Sequence, residues 1–263
     1  MSKAVGIRYY GEMANGKTTI AEGIQVNPIQ EQSVTVPEHV VLFPDGNRRW
    51  AKEQGLNSLE GHMKGKEKFE DFMVWCKKRG VKVVTVFGFS TENWKRSEQE
   101  VNYLMDLFEK YLGDKDSIAR FQKEGVRVRV IGQKARLRPS LQKVIENVEQ
   151  VTENNTEFNL NLAVSYGGRW DILNALQNIM KAGVAPDDVT EDMISSHIST
   201  ADLPEPDLVI RAGGEKRFSN FLLWQSAYAE LHFCPKYWPD FTEQDLEEAF
   251  QEYARRTRRF GGN

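Results

Sequence analysis

The sequence predicts an α/β fold, a single domain with a mostly parallel central β-sheet flanked by helices. Three observations predict it. From residue 38, short β-branched runs alternate with longer stretches of helical spacing, the pattern of β/α units. Those runs end in glycine- and charge-rich clusters, as strands do where they leave an open sheet at its carboxyl edge. The chain has 263 residues with 40% hydrophobic content, enough to bury one large core.

The first strand is read over residues 40–43 (VVLF), ending abruptly at Pro44-Asp45-Gly46-Asn47 with a helix start near Trp50. A helix over 60–79 carries Phe69, Phe72, Met73 and Cys76 at helical spacing, and Gly80 closes it. Residues 81–87 form a second β-branched strand, and 98–112 a helix with Val101, Leu104, Met105, Leu107 and Phe108 on one side. Val alternates with Arg over 126–131, a strand near an edge or with a polar face. A helix follows over 137–152, then a strand over 158–164 in which Asn alternates with apolar residues. Helices over 170–181 and 192–198, a brief strand over 208–210, an apolar helix over 220–229 and an amphipathic helix over 243–256 complete the reading. This gives five strands and one domain spanning 38–263.

Residues 1–37 are polar and without a clear period, and read as an N-terminal extension. Within them GEMANGKT, residues 11–18, matches the G-x-x-x-x-G-K-[ST] phosphate-loop pattern letter for letter. Its strand could only be residues 5–10, and its helix would meet Asn27-Pro28 after about ten residues. A nucleotide site there is therefore the lesser reading.

The net charge of −3 provides no general basic field, which excludes nucleic acid as a partner. Cys76 and Cys234 lie far apart, fit no zinc spacing or disulfide framework, and read as buried thiols in a reducing compartment. With no apolar stretch long enough to span a bilayer, a cytoplasmic protein is expected.

Four strand ends each bring an arginine: Asp45-Gly46-Asn47-Arg48-Arg49, the cluster from Phe89 to Arg96, Tyr166-Gly167-Gly168-Arg169, and the cluster from Arg211 to Asn220. Guanidinium forks and backbone amides suit phosphate oxygens. Asp45 and Glu230 are the acids placed to share a magnesium ion, which prefers oxygen ligands and bridges substrate phosphates. Glu100 and Glu215 are weaker candidates that pair with neighbouring arginines. His39, His197 and His232 read as structural or surface residues. Apolar and aromatic neighbours such as Phe87, Phe89, Trp94, Phe108 and Phe221 point to an amphiphilic substrate with an anionic head, or else to ordinary core.

Taken in series, DGNRRWA, the Gly61-His62 step, FSTENWKR, YGGR and DLVIRAGGEKRFSNFLLWQSAYAELHF resemble the cis-prenyltransferases, the Z-type polyprenyl diphosphate synthases that include undecaprenyl diphosphate synthase. The resemblance covers about residues 38–262. It implies a homodimeric α/β enzyme that condenses isopentenyl diphosphate with an allylic prenyl diphosphate, with magnesium (Mg2+), to a Z-polyprenyl diphosphate and pyrophosphate. It further implies that Asp45 assists magnesium and diphosphate departure, and that Gly46, Asn47, Arg48 and Arg49 cradle the allylic diphosphate with Trp50 and His62 nearby. Ser90, Asn93 and Arg96 would hold and deprotonate the condensing unit beside Phe89, with Asn93 catalytic. Arg211, Arg217 and Ser219 would bind its diphosphate, Glu230 would be a second magnesium-associated acid, and Arg259 would belong to a tail reaching the partner's site.

The chain departs from the common family pattern at Pro44, Ser58, Ser97, Ala212 and Gly213. These departures motivate the alternative of a branched product or a non-isoprenoid acceptor. The small Gly88 leans towards a medium or long product, and a long one would bring peripheral membrane contact.

Overall fold

The computed structural model describes residues 35–256. The phosphate-loop-like segment 11–18 and Arg259 lie outside the described residues. Six strands, β1 (His39–Phe43), β2 (Val83–Ser90), β3 (Val126–Ile131), β4 (Phe158–Tyr166), β5 (Leu208–Arg211) and β6 (Glu230–Phe233), form one sheet in the order β3-β4-β2-β1-β5-β6. Every pairing is parallel. All six strands therefore present their carboxyl ends at the same edge.

Eight α-helices lie among the described residues: α1 (Asn47–Glu53), α2 (Ser58–Lys78), α3 (Glu98–Gly113), α4 (Lys115–Lys123), α5 (Pro139–Thr152), α6 (Gly168–Lys181), α7 (Glu191–His197) and α8 (Glu243–Arg255). Their starts follow local chemistry. Asn57 caps α2 by accepting from the amides of Leu59 and Glu60 at 2.9 and 3.1 Å, while Glu60 reaches back to the Asn57 amide. Ser97 caps α3 through the Glu100 amide.

Strand alternation splits the apolar residues between two faces. Val40 and Leu42 join the main core under α2, α3, α5 and α8, with Phe72, Leu112, Ile145, Trp238 and Phe250 nearly or wholly buried. Val41, Phe43 and Val209 face a smaller cluster with Tyr166, Phe221 and Leu222.

Two expectations are corrected. Residues 220–229 are not a helix but a chain of turns, because Ser219, Asn220 and Leu222 take left-handed φ values of 47°, 63° and 42°. The sheet has a sixth strand, β6, that the periodicity missed. The turn segment drives Phe221 against Phe87, with ring centroids 4.1 Å apart and planes 2° from parallel.

His39 is structural, as expected. It is fully buried, with Nδ1 2.7 Å from the Pro204 carbonyl and Nε2 2.8 Å from Thr85 Oγ1. Burial pushes its imidazole from 6.5 down to about 4, against the Pro204 bond and the charge of Asp207. The folded form therefore binds this proton less readily than the unfolded chain. Its contribution to stability is whole above pH 6.5 and is lost as the pH falls to 4, by about 3 kcal/mol. Denaturant unfolding at pH 7, 5.5 and 4.5 is expected to show a steeper acid loss for wild type than for His39→Gln. Parallel slopes would refute this assignment.

Candidate active site

The site is built where β1 runs out. The chain passes Pro44 and Asp45, and Gly46 takes φ +103° before α1 begins. A side chain there would also strike Tyr237, whose Cδ1 lies 2.7 Å from the Cβ position. The turn is locked at both ends: the Asp45 amide donates to the Phe43 carbonyl at 2.9 Å, and the Asp45 carbonyl accepts from the Trp238 amide at 2.9 Å.

α1 is pressed onto α2 by a small-residue contact. A Cβ on Gly61 would collide with the Asn47 carbonyl oxygen and lie 2.9 Å from the Ala51 Cβ. Gly61→Ala is therefore expected to push α1 away with Asn47, Arg48 and Arg49. It should cost about 1–3 kcal/mol of stability, read by thermal melting, and lower the affinity for a diphosphate ligand. An unchanged melting temperature would contradict the contact.

The edge encloses a cleft of about 1100 Å³. Residues 43–49 and Lys52 line it from β1 and α1. Leu56, Ser58 and His62 come from α2 and the turn before it, and Phe87, Gly88, Ser90, Glu92, Asn93 and Arg96 from the end of β2 and beyond. Leu104 of α3 and Arg211, Arg217, Ser219 and Asn220 complete it. The polar mouth thus continues into apolar walls at Phe43, Phe87 and Leu104.

Three carboxylates hold five arginines. Asp45 accepts from Arg211 Nη2 at 2.8 Å and from Arg49 Nη2 at 3.3 Å. Glu215 pairs with Arg49 at 3.0 Å and also with Arg217. Glu100, its side chain only 8% exposed, sits 3.0 Å from Arg96, 3.7 Å from Arg48 and 3.1 Å from His62 Nε2.

Burial pushes the His62 imidazole down, outweighing its bond to Glu100. Burial would raise Glu100, but the His62 bond and the charges of Arg96 and Arg48 carry it below the usual carboxylate range. The two directions agree: a neutral imidazole donates to an ionised Glu100. Burial also lowers Arg96, against its attraction to Glu100.

Arg211 is the most enclosed arginine of the set, 4% exposed and 4.9 Å above the Phe43 ring. It also donates to the Arg217 carbonyl and, at 2.9 Å, to Ser219 Oγ, yet its buried Nε has no partner. Asn93 is fixed by its amide oxygen, which accepts from the Ser90 amide at 3.0 Å.

Of the residues singled out from the sequence, the structure brings together Asp45, Gly46, Asn47, Arg48, Arg49, His62, Ser90, Asn93, Arg96, Arg211, Arg217 and Ser219. Three are placed elsewhere. Trp50 turns its indole out to donate to Asp240 at 2.8 Å. Phe89 is 1% exposed and packs in the main core against Trp94, because the register shift between Phe87 and Ser90 keeps Phe87, not Phe89, on the cleft.

Glu230 does not line the cleft. It opens β6 opposite Leu208, three residues and roughly 10 Å short of the carboxyl edge, and binds Arg256 at 2.6 Å. The Tyr166–Arg169 cluster also stays off the cleft; Tyr166 donates to the buried Asp171 at 2.8 Å. Lys52, Leu56 and Leu104 were missed. Lys52 stands four residues after Arg48 on α1, a spacing that could have marked it.

The chain is similar to known proteins in sequence and in fold. Residues 43–261 match the Prenyltransf family model, described as "Putative undecaprenyl diphosphate synthase". The chain is 44% identical over 230 residues to an isoprenyl transferase of Neisseria gonorrhoeae, covering 88% of this chain and 91% of that one. It is 44% identical over 231 residues to a ditrans,polycis-undecaprenyl-diphosphate synthase ((2E,6E)-farnesyl-diphosphate specific) of Pseudomonas putida, covering 86% and 91%.

Among solved structures, lavandulyl diphosphate synthase from Lavandula x intermedia in complex with dimethylallyl diphosphate superposes with TM-score 0.81 at 36% identity, covering 86% of this chain and 98% of that one. A probable undecaprenyl diphosphate synthase from Campylobacter jejuni gives 0.72 at 30%, covering 86% and 99%.

Proposed function

The chain belongs to the undecaprenyl diphosphate synthase family and is a cis-prenyltransferase, and from this premise we propose that it condenses isopentenyl diphosphate with an allylic prenyl diphosphate to a Z-polyprenyl diphosphate. The observation that carries the reading is the convergence of five arginines and Asp45 on one cleft whose inner walls are apolar. In the reaction the allylic C–O bond breaks and its electron pair leaves with pyrophosphate. A bond forms to the terminal alkene carbon of isopentenyl diphosphate, and a proton lost from an adjacent carbon restores a double bond. The departing pyrophosphate accepts that proton, and Asn93 is the catalytic residue that assists its removal.

Arg48 and Arg49 grip the allylic diphosphate beside Gly46 and Asn47. Arg211, Arg217 and Ser219 grip that of the condensing unit, which Ser90, Asn93 and Arg96 orient. Guanidinium groups already in place stabilise the charge that develops on the leaving group, and the apolar walls keep water from the cation.

Among the described residues no cluster of three or more acidic, His or Cys side chains could hold a metal alone. Magnesium needs none: one or two carboxylates and substrate phosphates suffice. Asp45, a third exposed at the mouth, fits that donor set. Magnesium bound there would draw charge from the departing diphosphate.

A homodimer is part of this proposal, as the family membership implies. So is a role for Arg259 in the partner's site. No helix among the described residues is long and apolar enough to cross a membrane; cytoplasmic residence with peripheral contact for a long product completes the proposal.

Purified protein with labelled isopentenyl diphosphate, magnesium and dimethylallyl, geranyl or farnesyl diphosphate should yield an elongated product. NMR of the new double bonds separates a linear Z product from a branched one, and no product from any primer would reject the reading.

A further inference from the structure

The turn segment after β5 carries an unusual concentration of strain. Ser219, Asn220 and Leu222 all have left-handed backbones without being glycine. Such conformations cost about 1 kcal/mol or more each and persist only where surrounding contacts enforce them. At Asn220 the enforcing contacts form one constellation. Its carbonyl accepts from the Gly168 amide at 2.7 Å. Its side-chain oxygen accepts from the Arg169 amide at 2.9 Å, and its side-chain nitrogen donates to Glu92 Oε1 at 3.0 Å. The Arg169 amide can only donate, which fixes the orientation of the Asn220 amide and aims its NH2 at Glu92.

Burial raises the Glu92 carboxyl, but the bond from Asn220 and nearby hydroxyls outweighs it and holds the group below its ordinary range. Glu92 directly precedes Asn93, and Asn220 directly follows Ser219. A single charge-assisted hydrogen bond, spanning 128 residues of sequence, therefore joins two cleft-lining residues that are the immediate neighbours of Asn93 and Ser219. It also explains why the glycine-rich start of α6 lies near the cleft without lining it: its amides anchor Asn220.

We propose that the Asn220–Glu92 pair is a clamp that sets the distance between Asn93 and the Arg211–Ser219 diphosphate site, making Asn220 a positioning residue for the condensing substrate. The proposal rests on the reading that both sites hold one isopentenyl diphosphate. If the clamp is right, the pair works through the polarity of one hydrogen bond, and that polarity can be reversed. Asn220→Asp keeps the acceptor for Arg169 but sets a carboxylate against Glu92. Glu92→Gln alone still accepts from Asn220. In the double variant the new glutamine amide donates to the new aspartate carboxylate, which restores both the bond and the net charge.

The test is a double-mutant cycle on the full-length protein, reading kcat and KM separately for isopentenyl diphosphate and for farnesyl diphosphate, with thermal melting as a fold control. Asn220→Asp is expected to lower kcat/KM for isopentenyl diphosphate by about tenfold or more, with the KM for farnesyl diphosphate changed less than about threefold. Glu92→Gln should lose roughly threefold, and the double variant should recover to within about threefold of wild type. Asn220→Gly, which keeps the backbone relaxed at positive φ, should reproduce the Asp defect while remaining folded.

A double variant as impaired as Asn220→Asp would overturn the clamp. Equal rises in both KM values, or a fall in melting temperature with unchanged KM values, would reduce it to ordinary structural support and overturn it as well. A wild-type protein that elongates no primer would instead bring down the functional reading on which the clamp stands.

Discussion

Asp45→Ala is expected to lower kcat by about a hundred- to a thousandfold while leaving the protein folded. The magnitude is that of losing one preorganised electrostatic group where transition-state charge develops. The fold should survive because the Asp45 backbone is anchored through the Phe43 carbonyl and the Trp238 amide, although Arg211 and Arg49 lose the carboxylate they pair with and some stability goes with it. The side chain is a third exposed, so removing it opens no core cavity. Asp45→Asn keeps the shape and loses the charge, so it should fall nearly as far as Asp45→Ala if charge at the diphosphate is what matters. Single-turnover rates with saturating substrates, together with circular dichroism melts, decide the matter. Near-normal turnover in either variant would remove Asp45 from its role.

Arg211→Met is expected to separate activity from stability. Arg211 is nearly sealed, donates to Asp45, Ser219 and the Arg217 carbonyl, and leaves its Nε without a partner. Burying a guanidinium with an orphaned N–H costs free energy that methionine of similar length does not incur, and the Asp45 carboxylate left behind is a third exposed and keeps Arg49 as a partner. The variant should therefore melt no lower than wild type. Loss of its charge-assisted contacts to a diphosphate should lower kcat/KM for isopentenyl diphosphate by about two orders of magnitude, from roughly 1.5–3 kcal/mol for such a bond. A clear drop in melting temperature would show that the arginine stabilises the fold; unchanged kcat/KM would show that it does not grip substrate.

The sheet and most helices were legible because period and punctuation agreed in them. β1, β2 and β3 are β-branched runs, β4 alternates Asn with apolar residues, and α2, α3, α5 and α8 carry apolar stripes, with side-chain caps at the starts of α2, α3 and α8 and Pro139 opening α5. The run 220–229 misled because its apolar content has no period, and strain at Ser219, Asn220 and Leu222 leaves no compositional mark. β6 is four residues long and, unlike the equally short β5, has no β-branched residue to mark it.

The site residues followed the strand ends, which a parallel fold gathers by topology. Facing did not follow. Trp50 and Phe89 carry the right chemistry one turn or one bulge away from the cleft. Glu230 is a matter of position: sequence spacing says that an acid stands near a strand, but only the β5–β6 register says at which end. Glu100 was underrated because its three partners come from three separate segments.

The place of β5 beside β1 has a consequence for biosynthesis. Asp45 and Arg211 lie 166 residues apart, so on a ribosome adding about 5–20 residues per second the first emerges roughly ten to thirty seconds before its counter-charge. During that interval β1 has one flank unoccupied, and the nascent chain holds one half of its anion-binding rim. No catalytically competent fragment can precede release of the C-terminal third, and a premature stop before residue 208 leaves a sheet without its outer pair of strands and a carboxylate without its arginine.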